Sequence, residues 1–304
     1  MPSTKRLLGS PSPDPQTLQP ESNGRASQAR DDNPAEESAN VTETDSNISI
    51  SNQVAYWSAI TPTVDGMLGG FPQVSRIDIQ FSRNFLRKLQ RLDKTTRGKS
   101  STETPSNQHG YPFNHCLEPG AGIGRVTLNL LAGLCSKIDI IEPIKKFTDV
   151  LTAEDSPVVR SGQLQRVYIV PLQDWRPEMA PSYSAPGPDE ETSSKTASQS
   201  SKYDLIYNQW CLNHLSMVDL VSYFTRLIPL LGSNGWIIVK ENLSTDAFGN
   251  DIFDEEDSSV TRSDQNWRES FERAGLKLVK TEVQTGFPKE LGLYPVRMYA
   301  LRPK

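Results

Sequence analysis

Cysteine and histidine are scarce, with three of each in 304 residues. So few, without the paired Cys and His spacings of zinc sites, give no expectation of a metal centre. Cys116, Cys135 and Cys211 stand in apolar surroundings. Three is an odd count, and reduced, buried thiols in the cytosol or nucleus are the expectation. No apolar run is long enough to span a bilayer, so no membrane partner is expected. Pro2, Pro11, Pro13, Pro15 and Pro20 exclude a signal-peptide core or an amphipathic transit helix near the start. The cytoplasm, and also the nucleus, are therefore the expected compartments. A basic surplus is missing too. A net charge of −5 leaves nothing to displace counterions, so direct nucleic-acid binding is not expected. Hydrophobic residues make up only 36%, low for a compact domain, so part of the chain is expected not to fold.

The missing apolar residues are concentrated in a few tracts. Residues 1–52 are mostly Ser, Pro, Asn, Asp and Glu and read as a disordered tail. Residues 53–304 read as one domain with disordered insertions at about 95–110 and 181–202. Such composition cannot bury a core, and closure entropy grows slowly with loop length, so removing residues 1–50 or shortening 181–202 should leave fold and activity nearly intact. Between the tracts, helix and strand patterns alternate. Helices are expected at 81–92, 126–134, from 147, at 215–231 and at 265–274, and strands at 116–117, 138–141, 167–170, 203–207 and 236–239. Residues 278–284 and 297–301 would close the sheet as an antiparallel pair. The fold class is α/β: a Rossmann-like, mostly parallel sheet with an antiparallel C-terminal strand pair and an N-terminal helical extension.

Its most informative stretch is Leu117-Glu118-Pro119-Gly120-Ala121-Gly122-Ile123-Gly124-Arg125-Val126-Thr127. It reads as a strand end, a glycine turn and a helix start, where backbone amides approach a ligand. The next strand ends in Glu142, about 20 residues on, the spacing that puts a carboxylate on a ribose diol. The last glycine of the dinucleotide fingerprint is missing, with Arg125 in the continuing turn. The pattern therefore favours S-adenosylmethionine over NAD. Leu172-Gln173-Asp174 and Gln209 also fall at or just beyond strand ends, where open α/β sheets bind ligands.

Several blocks together resemble the eukaryotic protein N-terminal (α-N) methyltransferases. They begin with Tyr56-Trp57, Pro62-Thr63-Val64-Asp65-Gly66-Met67-Leu68-Gly69-Gly70 and Ile77-Asp78. The glycine turn, Leu172-Gln173-Asp174-Trp175, Gln209-Trp210 with His214-Leu215, and Lys240-Glu241-Asn242 follow in the family's order. Asp257-Ser258-Ser259-Val260 and residues 294–302 complete the series. The resemblance implies a class I S-adenosylmethionine-dependent methyltransferase acting on the free α-amine of proteins that begin X-Pro-Lys or X-Pro-Arg once the initiator Met is gone. Ribosomal proteins are plausible partners on that resemblance. It places Gly120 and Arg125 at the methionine moiety and Glu142 at the ribose, with Gly122, Pro143 and Ile144 also in the cofactor site. Leu172 and Gln173 would flank the adenine, Gln209 would touch the amino-acid portion, and Trp57 would close over the site. Family members often carry Asp where Glu142 stands. Arg125 as a surface charge and Leu172 as plain core are the ordinary alternatives.

On the substrate side, an α-amine has a pKa near ~7.7, so it needs orientation and a mild proton acceptor more than a strong base. Asp257 and His214 are the candidate acceptors, and Asn242 could bond the peptide's first residues. Asp254 and Asp257 could pair with the third-position cation, and Ser259 belongs to the same block. Without the family, His214 reads as a satisfied turn histidine and the acidic run 251–257 as a solvated loop. Trp210, otherwise a core tryptophan, offers an indole face to proline. Leu68 and Val74 would wall the peptide channel, and Tyr56 and Tyr294 could bond the entering chain. Two other readings remain open: a methyltransferase of the same fold acting on a small molecule or RNA, and a non-catalytic methyltransferase-like binding module.

Overall fold

An eight-stranded sheet in the order β4-β3-β2-β1-β5-β6-β10-β9 organises the molecule. The computed structural model describes residues 44–96, 110–185 and 202–304. The remaining parts of the tracts expected to be disordered lie outside the described residues. Strands β1 (Phe113–Pro119), β2 (Cys135–Ile141), β3 (Leu164–Tyr168), β5 (Tyr203–Gln209) and β6 (Leu231–Asn242) pair in parallel. Strand β10 (Val296–Pro303) runs antiparallel between β6 and β9 (Leu276–Val283), as the sequence indicated. In β1 every residue but Asn114 is buried, the mark of a strand covered on both faces. Two apolar clusters make those faces. One holds Phe224, Trp267 and Phe271, and the other Phe85, Leu86, Leu130 and Trp236.

Among the described residues, three α-helices precede the sheet: α1 (Ile50–Ala59), α2 (Val64–Met67) and α3 (Ser75–Thr96). In α3, Ile79, Ser82, Leu86 and Leu89 are buried at helical spacing, so one stripe lies against the sheet. After β1 come α4 (Arg125–Asn129), then α5 (Lys145–Leu151) and α6 (Pro157–Arg160) beyond β2. The helix expected over 126–134 ends at Asn129 and continues as a 3-10 turn, Leu131–Gly133. Helix α7 (Met217–Leu227) likewise gives way to a 3-10 turn containing Pro229, and β6 begins at Leu231 rather than Trp236. Residues 232–235 form an irregularity opposite Tyr203–Leu205, so Gly232 and Gly235 serve a strand, not a helix stop. A hairpin, β7 (Ile252–Asp254) and β8 (Ser259–Thr261), follows β6, and α8 (Asp264–Arg273) leads into β9.

Three expectations are corrected. Residues 44–52 are not tail: Asp45 is buried against Arg262 at 3.0 Å and accepts from the Met217 amide at 2.8 Å. Within 181–202, Tyr183–Ser184 form β4, an edge strand on β3. Cys116 and Cys135 are not free thiols. They sit on neighbouring parallel strands with Cα atoms 6.2 Å apart and form a disulfide, while Cys211 stays free and buried.

The first correction reverses the deletion expectation. Removing residues 1–50 strips Asp45 from a fully buried Arg262, and breaking a buried ion pair costs about 3–5 kcal/mol. A chain starting at residue 44 should therefore melt several degrees higher than one starting at residue 51. Equal melting temperatures would show that the pair contributes nothing.

Candidate active site

The carboxyl ends of β1 and β5 border a cleft of about 970 Å³, open to solvent, where strand order reverses about β1. All ten residues expected to hold the cofactor line it: Trp57, Gly120, Gly122, Arg125, Glu142, Pro143, Ile144, Leu172, Gln173 and Gln209. Gly120 and Gly122 have φ of +66° and +57°, and a Cβ on Gly120 would lie 2.3 Å from that of Cys211. Only glycine fits there, and the turn it permits places backbone against the cleft.

Glu142 closes one side. Its Oε2 accepts from the Gly122 amide at 2.8 Å and its Oε1 from the Ile144 amide at 2.9 Å. Burial pushes its pKa up to about 7, against the pull of those two amides. Each oxygen keeps a lone pair for a ligand hydroxyl. On the other side, Arg125 ion-pairs with buried Asp78 at 2.7 Å, and Lys240 pairs with the same carboxylate. Although burial raises the Asp78 pKa, Lys240 and Arg125 hold it below the usual carboxylate range. Two basic side chains thus share one carboxylate beside the cleft, with burial pushing the Lys240 pKa down, and Gln209 also donates to Asp78, at 2.9 Å. Both cations stack near the Trp210 ring, Arg125 at 5.3 Å and Lys240 at 5.9 Å from its centroid. These donors, the Glu142 carboxylate and the glycine turn fit S-adenosylmethionine.

His214 lines the cleft, and the Gln53 amide bridges its carbonyl to that of Ser258 in the β7–β8 hairpin. Trp57 Nε1–H donates to His214 Nε2 at 3.1 Å, so the ring proton sits on Nδ1, which is buried without a partner. Burial drives its pKa down to about 3, so the imidazole is neutral. Asp257, in the hairpin turn, is fully buried and neither carboxylate oxygen has a hydrogen bond. Burial raises its pKa to about 6, only partly offset by the nearby Ser259 hydroxyl and amide. Buried orphan groups of this kind mark a place where a polar ligand completes the bonding. Tyr56 lies by the same turn, its hydroxyl pushed up to about 12 by burial and by Glu256, Asp257 and Asp254.

The other expected substrate residues gather beyond Trp210 rather than in the cleft. Leu68, Val74 and Trp210 share one apolar cluster with Val296, against which Phe71, Phe287 and Leu293 pack. Tyr294 belongs to that segment and is half-buried. Trp210 has φ +53°, rare for an aromatic residue, and its Nε1 donates to Asn242 Oδ1 at 3.0 Å. Asp254 ends β7, half-buried at the hairpin rim. His214 and Trp210 are thus the expected substrate-side residues that also line the cleft.

Sequence reasoning passed over Glu118, Gln53, Met67 and Cys211 in the cleft wall. Glu118 carried a signal: a carboxylate two residues before the turn, inside an apolar strand. Burial raises its pKa to about 8, and the Thr127 hydroxyl donates to it at 2.5 Å.

Fold and cleft together define a class I S-adenosylmethionine-dependent methyltransferase. Within that class the chain belongs to the AdoMet-dependent proline di-methyltransferase family, whose profile matches residues 45–302. The alpha N-terminal protein methyltransferase 1 of Schizosaccharomyces pombe is 36% identical over 256 residues, 83% of this chain and 95% of that protein. The N-terminal Xaa-Pro-Lys N-methyltransferase 1 of Danio rerio is 33% identical over 247 residues, 81% and 92% of the two chains. A solved SAM-dependent methyltransferase from Leishmania major superposes with a TM-score of 0.62 at 29% identity, covering 83% of this chain and 82% of that one.

Proposed function

We propose that this enzyme transfers methyl groups from S-adenosylmethionine to the free α-amine of proteins beginning X-Pro-Lys or X-Pro-Arg. The observation that carries the reading is the buried Asp257–Ser259 turn, its carboxylate without a partner, tied through the Gln53 amide to the His214 carbonyl at a cleft suited to the cofactor. The cofactor supplies an electrophilic methyl group. Arg125 and Gln209 would hold its amino-acid portion, Glu142 its ribose, and Leu172 and Gln173 its adenine, with Trp57 over the opening.

Asp257 acts as the proton acceptor. An α-ammonium near ~7.7 facing a carboxylate near 6 makes the transfer uphill by only about 2 kcal/mol. His214 orients instead, because its acceptor nitrogen is occupied by Trp57 and only Nδ1–H is left to donate. Asn242 fixes the Trp210 indole, whose face meets the second-position proline, with Leu68, Val74 and Tyr294 along the same channel. Proline has a fixed φ and no N–H, so it enters with little entropy to lose and no donor left unpaired. Asp254 at the hairpin rim, with Tyr56 and Ser259 beside it, receives the third-position cation and the entering peptide. An acidic rim disfavours RNA, which would need a basic face.

Mass spectrometry of a Ser-Pro-Lys peptide should show methyl groups on the α-amine, and none on its N-acetylated copy. Equal modification of the two would sink the reading.

Glu142 provides a cofactor test. Glu142→Ala should weaken S-adenosylhomocysteine binding by about 1–3 kcal/mol, the usual worth of a hydrogen bond to a charged group. Wild-type affinity should rise as pH climbs through about 7, where the carboxylate ionises and accepts more strongly. Calorimetry giving one affinity for both proteins would remove Glu142 from the site.

A further inference from the structure

Helix α1 and the turn before it form a strap across two sites. Ile50, Gln53, Val54 and Trp57 make one wall of the cleft. Between Asp45 and Gln53, however, the strap's polar anchors lie on the hairpin side. Asp45 reaches Arg262 and the Met217 amide, and the Ser49 amide donates to Ser258 Oγ at 2.9 Å. Gln53 is the centre of the arrangement. Nearly buried, its Nε2 donates to the carbonyls of His214 and Ser258, both at 2.9 Å. The same His214 carbonyl accepts from cleft-lining Gln173 at 2.9 Å. Ser258 has φ +56°, a left-handed conformation that an L residue keeps only when its surroundings hold it. Asp257 directly precedes it, so whatever fixes the Ser258 backbone fixes the aim of the Asp257 carboxylate.

We infer that Gln53 is a positioning residue that couples filling of the cofactor cleft to the order of the Asp257–Ser259 turn. The inference rests on the reading that this cleft takes S-adenosylmethionine and this turn the α-amine. A ligand packed on the α1 wall holds the strap in place. The two Gln53 N–H groups then hold the His214 and Ser258 carbonyls together. The turn loses freedom, so a peptide binding next has less order to impose. Linkage makes the effect mutual: each ligand strengthens the other by the same factor, on the order of tenfold. The amide is essential to this role. A glutamate of the same size presents no donor and turns a carboxylate towards two carbonyl oxygens.

Hydrogen exchange on the full chain with S-adenosylhomocysteine tests this without a peptide. In the wild type, exchange should slow both over the glycine turn, residues 117–127, and over residues 256–262. At S-adenosylhomocysteine concentrations that saturate each protein, which offsets any affinity lost by altering the cleft wall, Gln53→Ala and Gln53→Glu should show the first protection and lose the second. In calorimetry, the roughly tenfold strengthening of Ser-Pro-Lys binding by S-adenosylhomocysteine should fall towards onefold in both variants. Protection of residues 256–262 persisting in Gln53→Glu, or absent from the wild type, would overturn the inference. Transmitted protection in a wild type that binds no Ser-Pro-Lys peptide would strike the substrate reading and leave the positioning role standing.

Discussion

Replacing Asp257 by Asn should lower kcat on a Ser-Pro-Lys peptide by about 10²–10⁴, the usual contribution of a positioned acid–base group, and should also raise the melting temperature at pH 7.5. Both effects come from one carboxylate. Buried and without a hydrogen bond, it accepts a proton readily and is costly to keep ionised. Its folded-state pKa of about 6 lies above the ordinary 3.8. The native state therefore binds the proton more tightly than the unfolded chain does. The stability this one group contributes is highest below pH 4, falls as pH climbs from about 4 to about 6, and stays lower above. A shift of about two units corresponds to about 3 kcal/mol as an upper figure, which the neutral amide does not incur. The variant's thermal gain should accordingly fade as pH is lowered towards 4. Wild-type turnover should rise with pH through about 6 as the acceptor ionises. Undiminished turnover in the variant, or a thermal gain independent of pH, would take Asp257 out of the acceptor role. Stability given up where catalysis needs a strained or unpaired group is a common pattern in enzymes.

A Gly120→Ala enzyme should lose cofactor affinity by at least about tenfold and unfold at a lower temperature. At φ +66° an L residue costs about 1–2 kcal/mol, and overpacking a tight site adds about 1–3 kcal/mol. The new methyl would sit 2.3 Å from Cys211 Cβ. Cys211 has little room to yield, because Glu241 Oε1 accepts from its amide at 2.9 Å and its thiol leans on the Pro119 carbonyl at 3.4 Å. Relief must come from the glycine turn itself, which moves the cleft floor and with it the Gly122 amide that orients Glu142. Calorimetry with S-adenosylhomocysteine reads the affinity, and differential scanning fluorimetry the stability. An alanine variant with wild-type affinity would show that the turn does not shape the cleft.

The cofactor side was legible in the sequence because its information is local. Each of Gly120, Glu142, Leu172 and Gln209 ends or follows a short apolar run, and in a parallel sheet the carboxyl ends of such runs converge on one crevice. Ordering the strands therefore ordered the site. Polar residues in the hairpin were readable only through the resemblance, since an acidic run such as 251–257 has the composition of a solvated loop. Nothing in that run distinguishes Asp257, fully buried, from Glu255 and Glu256, which are exposed.

From the sequence alone came the α/β class, the glycine turn with the carboxylate that follows it at the next strand end, and the order of blocks that marks the family. Tertiary structure alone decided the fate of Asp45, Ser49 and Gln53, which composition assigned to a tail or left unremarked. It also paired Cys116 with Cys135, gathered Asp78, Arg125 and Lys240 under Trp210, and gave the acceptor nitrogen of His214 to Trp57. The physical reason is the same in each case. Hydrophobic periodicity reports which face of an element is buried, a property of neighbours in the chain. A polar side chain becomes ordered through partners such as Ser258 and Arg262, some 200 residues away from Gln53 and Asp45, and bonds at that separation leave no periodic trace in the sequence.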